Sequence, residues 1–146
     1  MSRSGDPWLP HGPEFRFVDQ VLEHHPGRSV VGCLELGTPT ARPAYSGALP
    51  GSYLLESMIQ TCGLLFGEPA GAEQGASPLA MVVALDRVRW FVSPRQPGRV
   101  ITRCRLVHRV GPFLRCRCEA RGEGRELLAS GEVTLRVDPR QAAQAE

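Results

Sequence analysis

An α+β protein, one long apolar helix held by a curved antiparallel sheet, is what this sequence predicts, on three observations. Apolar residues recur at three- and four-residue spacing from Ser52 to Phe66, the second half of the chain alternates with period two, and glycine and proline punctuate the junctions. At 146 residues and 42% apolar content the chain fits one compact domain over 1–146, with 1–7 and 140–146 expected as flexible tails.

The elements follow in order. Phe15, Phe17, Val18 and Val21 make a short apolar turn or strand, which His24-His25-Pro26-Gly27 breaks before a strand over 29–36. Gly37, Pro39, Pro43, Gly47 and Pro50 forbid any regular element between 37 and 50, so a long loop is expected there. Leu54, Leu55, Met58, Ile59, Cys62, Leu65 and Phe66 then describe the helix face. Gly67-Glu68-Pro69 stops it, and the Gly-, Ala- and Pro-rich stretch to Pro78 reads as an exposed connection.

Beyond it, Val100, Cys104, Leu106, His108 and Val110 share one face of a strand whose other face carries Arg103, Arg105 and Arg109. A second alternating strand spans 114–121 and a last one 126–137, with turns at Val110-Gly111-Pro112-Phe113 and Gly122-Glu123-Gly124. A helix apolar on most sides needs cover on most sides, and a meander of about four strands supplies it.

Composition excludes several classes. All 17 basic residues are arginine, yet the net charge is only +2, which gives no concentrated basic surface for nucleic acid. No apolar run reaches the roughly eighteen residues of a membrane span, and Met1 to Pro7 lacks the order of a signal peptide, so a cytoplasmic protein is expected. The 5 cysteines are odd in number and form no CxxC pair, which suits reduced core thiols. Cys116 and Cys118 share a strand face, but no second ligand pair follows at useful spacing, so neither metal nor other cofactor is expected.

Two stretches resemble the FabZ and FabA group of 3-hydroxyacyl-(acyl carrier protein) dehydratases. Leu9-Pro10-His11 with Phe15, Val18 and Asp19 is similar to the family's opening LPHxxPFxxVD, with proline and phenylalanine rearranged. The run from Leu49 to Gln60 is similar to the MPGVLLxEAMAQ that begins the family's central helix. Ala84-Leu85-Asp86-Arg87-Val88-Arg89-Trp90 and Pro97-Gly98 look like its GIDxxRF and PGD segments. The resemblance implies a hotdog fold, a dimer, and acyl thioesters of acyl carrier protein or CoA as substrates in fatty-acid or polyketide biosynthesis.

Removing water from a 3-hydroxyacyl thioester requires a base at C2, an acid for the C3 hydroxyl and a donor on the thioester carbonyl. The resemblance assigns the carbonyl donor to the backbone N–H of Gly51 and the carboxylate to Glu56. The family's histidine, in a GHFPG loop, is missing. Fourteen positions before Glu56, the family's own spacing, stands Arg42, and no histidine occurs between His25 and His108. An arginine stays protonated and cannot remove a carbon-bound proton. The family's sites lie between protomers, so a heterodimer with a histidine-bearing homologue would keep one complete site, while the homodimer would have none.

Each residue also has a plainer reading. Glu56 is a helical acid that the dipole alone can stabilise, and Gly51 a helix-start glycine. Arg42 is either a solvated loop residue or a plug for a partner's Glu56. His11 reads as structural, His24 and His25 as turn residues, His108 as a satisfied core histidine, and Tyr45 as a pocket donor without motif support. The arginine face with Arg103, Arg105, Arg109, Arg115 and Arg117 is a solvated sheet surface or a dock for an acidic carrier protein. Two other functions stay open: a thioesterase using Glu56 as base or nucleophile, and a non-catalytic hotdog that binds acyl chains or stabilises a partner.

Overall fold

The computed structural model describes residues 15–37, 48–66, 80–94 and 97–137. The elements are β1 (Gln20–His25), β2 (Ser29–Leu36), α1 (Gly51–Gly63), β3 (Ala80–Trp90), β4 (Gly98–Val110), β5 (Phe113–Arg121) and β6 (Leu127–Val137). One 3-10 turn, Leu64–Phe66, prolongs the helix. The strands form a single 6-stranded sheet in the order β1-β2-β4-β5-β6-β3, antiparallel at every junction.

The helix period is as the sequence predicts, but α1 begins one residue earlier, at Gly51, because the carbonyl of Pro50 already accepts the amides of Tyr53 and Leu54. β1 runs through His24 and His25 instead of breaking before them. The turn is made by Pro26 and by Gly27 at φ 68, a left-handed conformation that glycine adopts without strain. The last four strands are a meander only in part: β3 lies beyond β6, at the far edge from β4.

Alternation works as the period requires. Along β5, Leu114, Cys116, Cys118 and Ala120 are buried while Arg115, Arg117 and Arg121 are exposed. Cys116, Cys118 and Ala120 of that set meet Leu54, Met58, Cys62 and Leu65 in one core. Each Leu or Met so buried contributes about 1.5–3 kcal/mol. Helix and sheet approach closely at Gly32, where a Cβ would stand 3.0 Å from both Thr61 Oγ1 and Val18 Cγ1.

One expectation is corrected. His108 does not join the core: the β4–β5 register shifts between Leu106 and His108, and this bulge leaves His108 exposed and Val110 61% exposed. No helix among the described residues is long and apolar enough to cross a membrane. The expected loop between 37 and 50, the connection to Pro78 and both tails fall largely or wholly outside the described residues.

Candidate active site

The site predicted around Gly51 and Glu56 is built on the first turns of α1. Among the described residues no side chain caps this helix and no acid stands in its first turn, so the helix's own first turn does not neutralise the positive end of the dipole. Two anchors hold the helix start: Leu49, buried, donates its amide to the Pro94 carbonyl at 2.8 Å, and Trp90 Nε1 donates to the Gly51 carbonyl at 3.1 Å. The indole stands close over the glycine: a Cβ at position 51 would meet Trp90 Nε1 at 3.1 Å, so the ring would have to shift by a few tenths of an ångström.

Glu56 lies five residues on, about 7–8 Å along the axis, and is half-buried. Its Oε1 accepts a 3.0 Å hydrogen bond from Nε2 of Gln60, one turn later. Gln60 is 2% exposed. Its Nε2 also donates to the Phe15 carbonyl at 2.6 Å, and its Oε1 accepts the Phe17 amide at 2.7 Å. This one amide therefore orients the carboxylate and straps the segment before β1 to the helix. Phe17 packs on Tyr53, ring centroids 4.9 Å apart. Motif reading alone did not assign Gln60 a role, although the i, i+4 spacing from Glu56 was a signal for it.

The described histidines lie at the other end of the helix. Gly27, which follows His24 and His25, donates its amide to the Leu65 carbonyl, about 20 Å along the axis from Gly51. Leu106, two residues before His108, donates to the Arg28 carbonyl at the same end. The structure thus brings Gly51 and Glu56 together on one helix start and leaves His24, His25 and His108 away from it. Arg42, Tyr45 and His11 lie outside the described residues.

Of the arginine face, Arg103, Arg105, Arg115 and Arg117 are exposed on the side of the sheet away from the helix, and Arg109 is half-buried. Arg103 pairs with Glu23 at 3.6 Å and Arg117 with Glu132 at 3.3 Å. Beside them Arg99, Arg121 and Arg125 line a shallow groove of about 730 Å³ with Glu119 and Glu123. A second group that spacing did not reveal is Cys62, Cys104 and Cys118, which come together in the core.

No family model matches the chain. The chain is 30% identical over 96 residues to the 3-hydroxyacyl-[acyl-carrier-protein] dehydratase FabZ of Alkalilimnicola ehrlichii, covering 62% of this chain and 60% of that protein. It is 26% identical over 93 residues to FabZ of Rickettsia massiliae, covering 60% and 63%. The chain thus spans less than two thirds of the length of these curated relatives.

Among solved structures, the dehydratase heterocomplex ApeI:P from Xenorhabdus doucetiae superposes with a TM-score of 0.75 at 19% identity, covering 94% of this chain and 93% of that one. A hypothetical thioesterase with coenzyme A from Streptococcus pneumoniae gives 0.64 at 12% identity, covering 82% and 84%. One helix embraced by a curved six-stranded antiparallel sheet, shared with these structures, is the hotdog fold. Within that fold the chain is FabZ-like in sequence.

Proposed function

We propose that this chain acts on acyl thioesters as the carboxylate-donating subunit of a heterodimeric 3-hydroxyacyl dehydratase. The observation that carries the reading is Glu56, held by the buried Gln60 beside an uncapped helix start, with the described histidines at the opposite end of α1. Half of an acid–base site is prepared, and no described residue supplies the other half. The FabZ relatives and the fold shared with a dehydratase heterocomplex support the class of reaction.

In this reading the Gly51 amide, at the positive end of the helix, polarises the thioester carbonyl. That acidifies the C2 proton, which a partner's histidine removes. Glu56, as the acid, protonates the C3 hydroxyl as the C–O bond breaks, giving the enoyl thioester and one water. Arg42, at the family's histidine position, stays charged and does not take the C2 proton. The partner joins through β3, whose free edge exposes Met81, Val82, Val83 and Leu85.

The test is mass spectrometry of a 3-hydroxybutyryl acyl carrier protein after incubation with the chain alone and with a histidine-bearing hotdog partner. No water should be lost with the chain alone and one should be lost with the pair, and Glu56→Gln should abolish that loss. Loss of water with the chain alone overturns the reading. A second reading, hydrolysis of the thioester with Glu56 as base or nucleophile, needs no histidine and is recognised by release of free thiol without enoyl product. An unchanged pair carrying Glu56→Gln points to a non-catalytic subunit.

A further inference from the structure

Away from Glu56, the later turns of α1 carry a second cluster of chemistry-bearing side chains into the core. Cys62 of α1, Cys104 of β4 and Cys118 of β5 converge on one point. Their Sγ atoms stand 2.8 Å apart for Cys62–Cys118, 3.0 Å for Cys104–Cys118 and 3.2 Å for Cys62–Cys104. All three residues are fully buried. Cys104 and Cys118 are direct cross-strand partners, and the helix brings Cys62 down onto the pair.

Non-bonded heavy atoms rest about 3.5–4.0 Å apart, so these sulfurs are closer than neutral packing sets them. Burial pushes the Cys62 and Cys104 thiols up, whereas hydrogen bonds from Cys104 and Cys62 hold Cys118 below the ordinary thiol range.

We propose that Cys62, Cys104 and Cys118 form a closed three-sulfur site for a thiophilic d10 cation, with Zn2+ the ion whose charge they balance best. Soft thiolates select such ions, and three sulfurs presented by three separate elements match the enclosed character of structural sites. Only thiolates ligate, so binding Zn2+ at all three sulfurs releases three protons and leaves one net negative charge, smaller than a monovalent d10 ion would leave on the same three sulfurs. At a Zn–S distance of about 2.3 Å the ion stands above the plane of the sulfurs. Opening its bond angles spreads them by on the order of 0.5 Å. The Met58 carbonyl lies 3.7 Å from Cys104 Sγ. With the site sealed, the ion enters as the chain folds. Cys33 lies outside the core cluster beside Glu35, where burial and that carboxylate push its thiol up to about 12. It serves as the control.

The full chain is refolded with Zn2+ under reducing conditions and measured by native mass spectrometry and metal analysis. Cd2+ is then titrated into chelator-treated protein while thiolate-to-cadmium absorption is followed. One ion per chain, a charge-transfer band saturating at one equivalent, and a melting midpoint lowered by chelator are expected. The band should persist in Cys33→Ser and vanish in Cys104→Ser/Cys118→Ser. If the double variant does not fold, the metal content and band of the unaltered chain decide. A metal-free native mass with no cadmium band overturns the proposal, as does a chain two hydrogens lighter, which is a disulfide.

Discussion

The two edges of the sheet are built on opposite plans. β1 is 6 residues long, is interrupted by a bulge between Val21 and Glu23, and turns Gln20, Glu23 and His25 to solvent. β3 is 11 residues long, and Met81, Val82, Val83, Leu85 and Trp90 on it are each more than 40% exposed. Phe91 and Val92 prolong the apolar run. β3 is itself bulged, between Val82 and Ala84 and between Asp86 and Arg89, and exposes Asp86, Arg87 and Arg89, so length and the apolar run are what separate the edges. A short edge offers little to a further strand, whereas a long apolar one invites it. Among the described residues β3 presents the longer apolar edge, which is why the proposed subunit reading gives the partner to β3.

The largest expected effect breaks that difference directly. Leu85→Arg on β3 should weaken association with a hotdog partner by at least ~100-fold, because a charge would be desolvated without a counterpart. Glu23→Arg on β1 should leave association unchanged. Analytical ultracentrifugation of the pair reads both, and equal losses at the two edges would abolish the distinction.

A smaller effect sharpens the account of how β1 is tied down. Gln60→Leu removes the acceptor of the Phe17 amide and the donor to Glu56 in one step. Stability should fall by about 1–3 kcal/mol in urea melts. Turnover of the active pair should fall on the order of 10²-fold, with KM nearly unchanged.

The smallest is a pH effect confined to the β1 side. Burial, helped by neighbouring His25, lowers His24 below its usual 6.5, against the pull of the Leu65 and Leu64 carbonyls. The unfolded chain therefore binds the proton more readily. The stability contributed by neutral His24 is complete above pH 6.5 and is lost as pH falls toward the folded-state value. Denaturant midpoints should decline between pH 7 and 5, and less so in His24→Gln.

Periodicity located the helix and the last three strands, because each has one buried face along most of its length and its residues repeat at the period of its backbone, whereas β2, buried on both faces, was legible as a short apolar run. It misjudged His108, since a bulge between Leu106 and His108 changes which side the chain presents without marking the sequence. Glu56 and Gly51 were legible through a local motif. The role of Gln60 needed the Phe15–Phe17 segment, more than 40 residues away in sequence, to be laid beside the helix.

What the sequence by itself determined is the set of elements, the helix-start glycine and carboxylate, and the absence of a histidine at the family's spacing, all of which are local or countable. Only the tertiary structure decided that β3 leaves β4 for the far edge, that the described histidines lie at the end of α1 opposite Gly51, and that Cys62, Cys104 and Cys118 meet. Each of those depends on how distant segments pair, and chain spacing does not encode it.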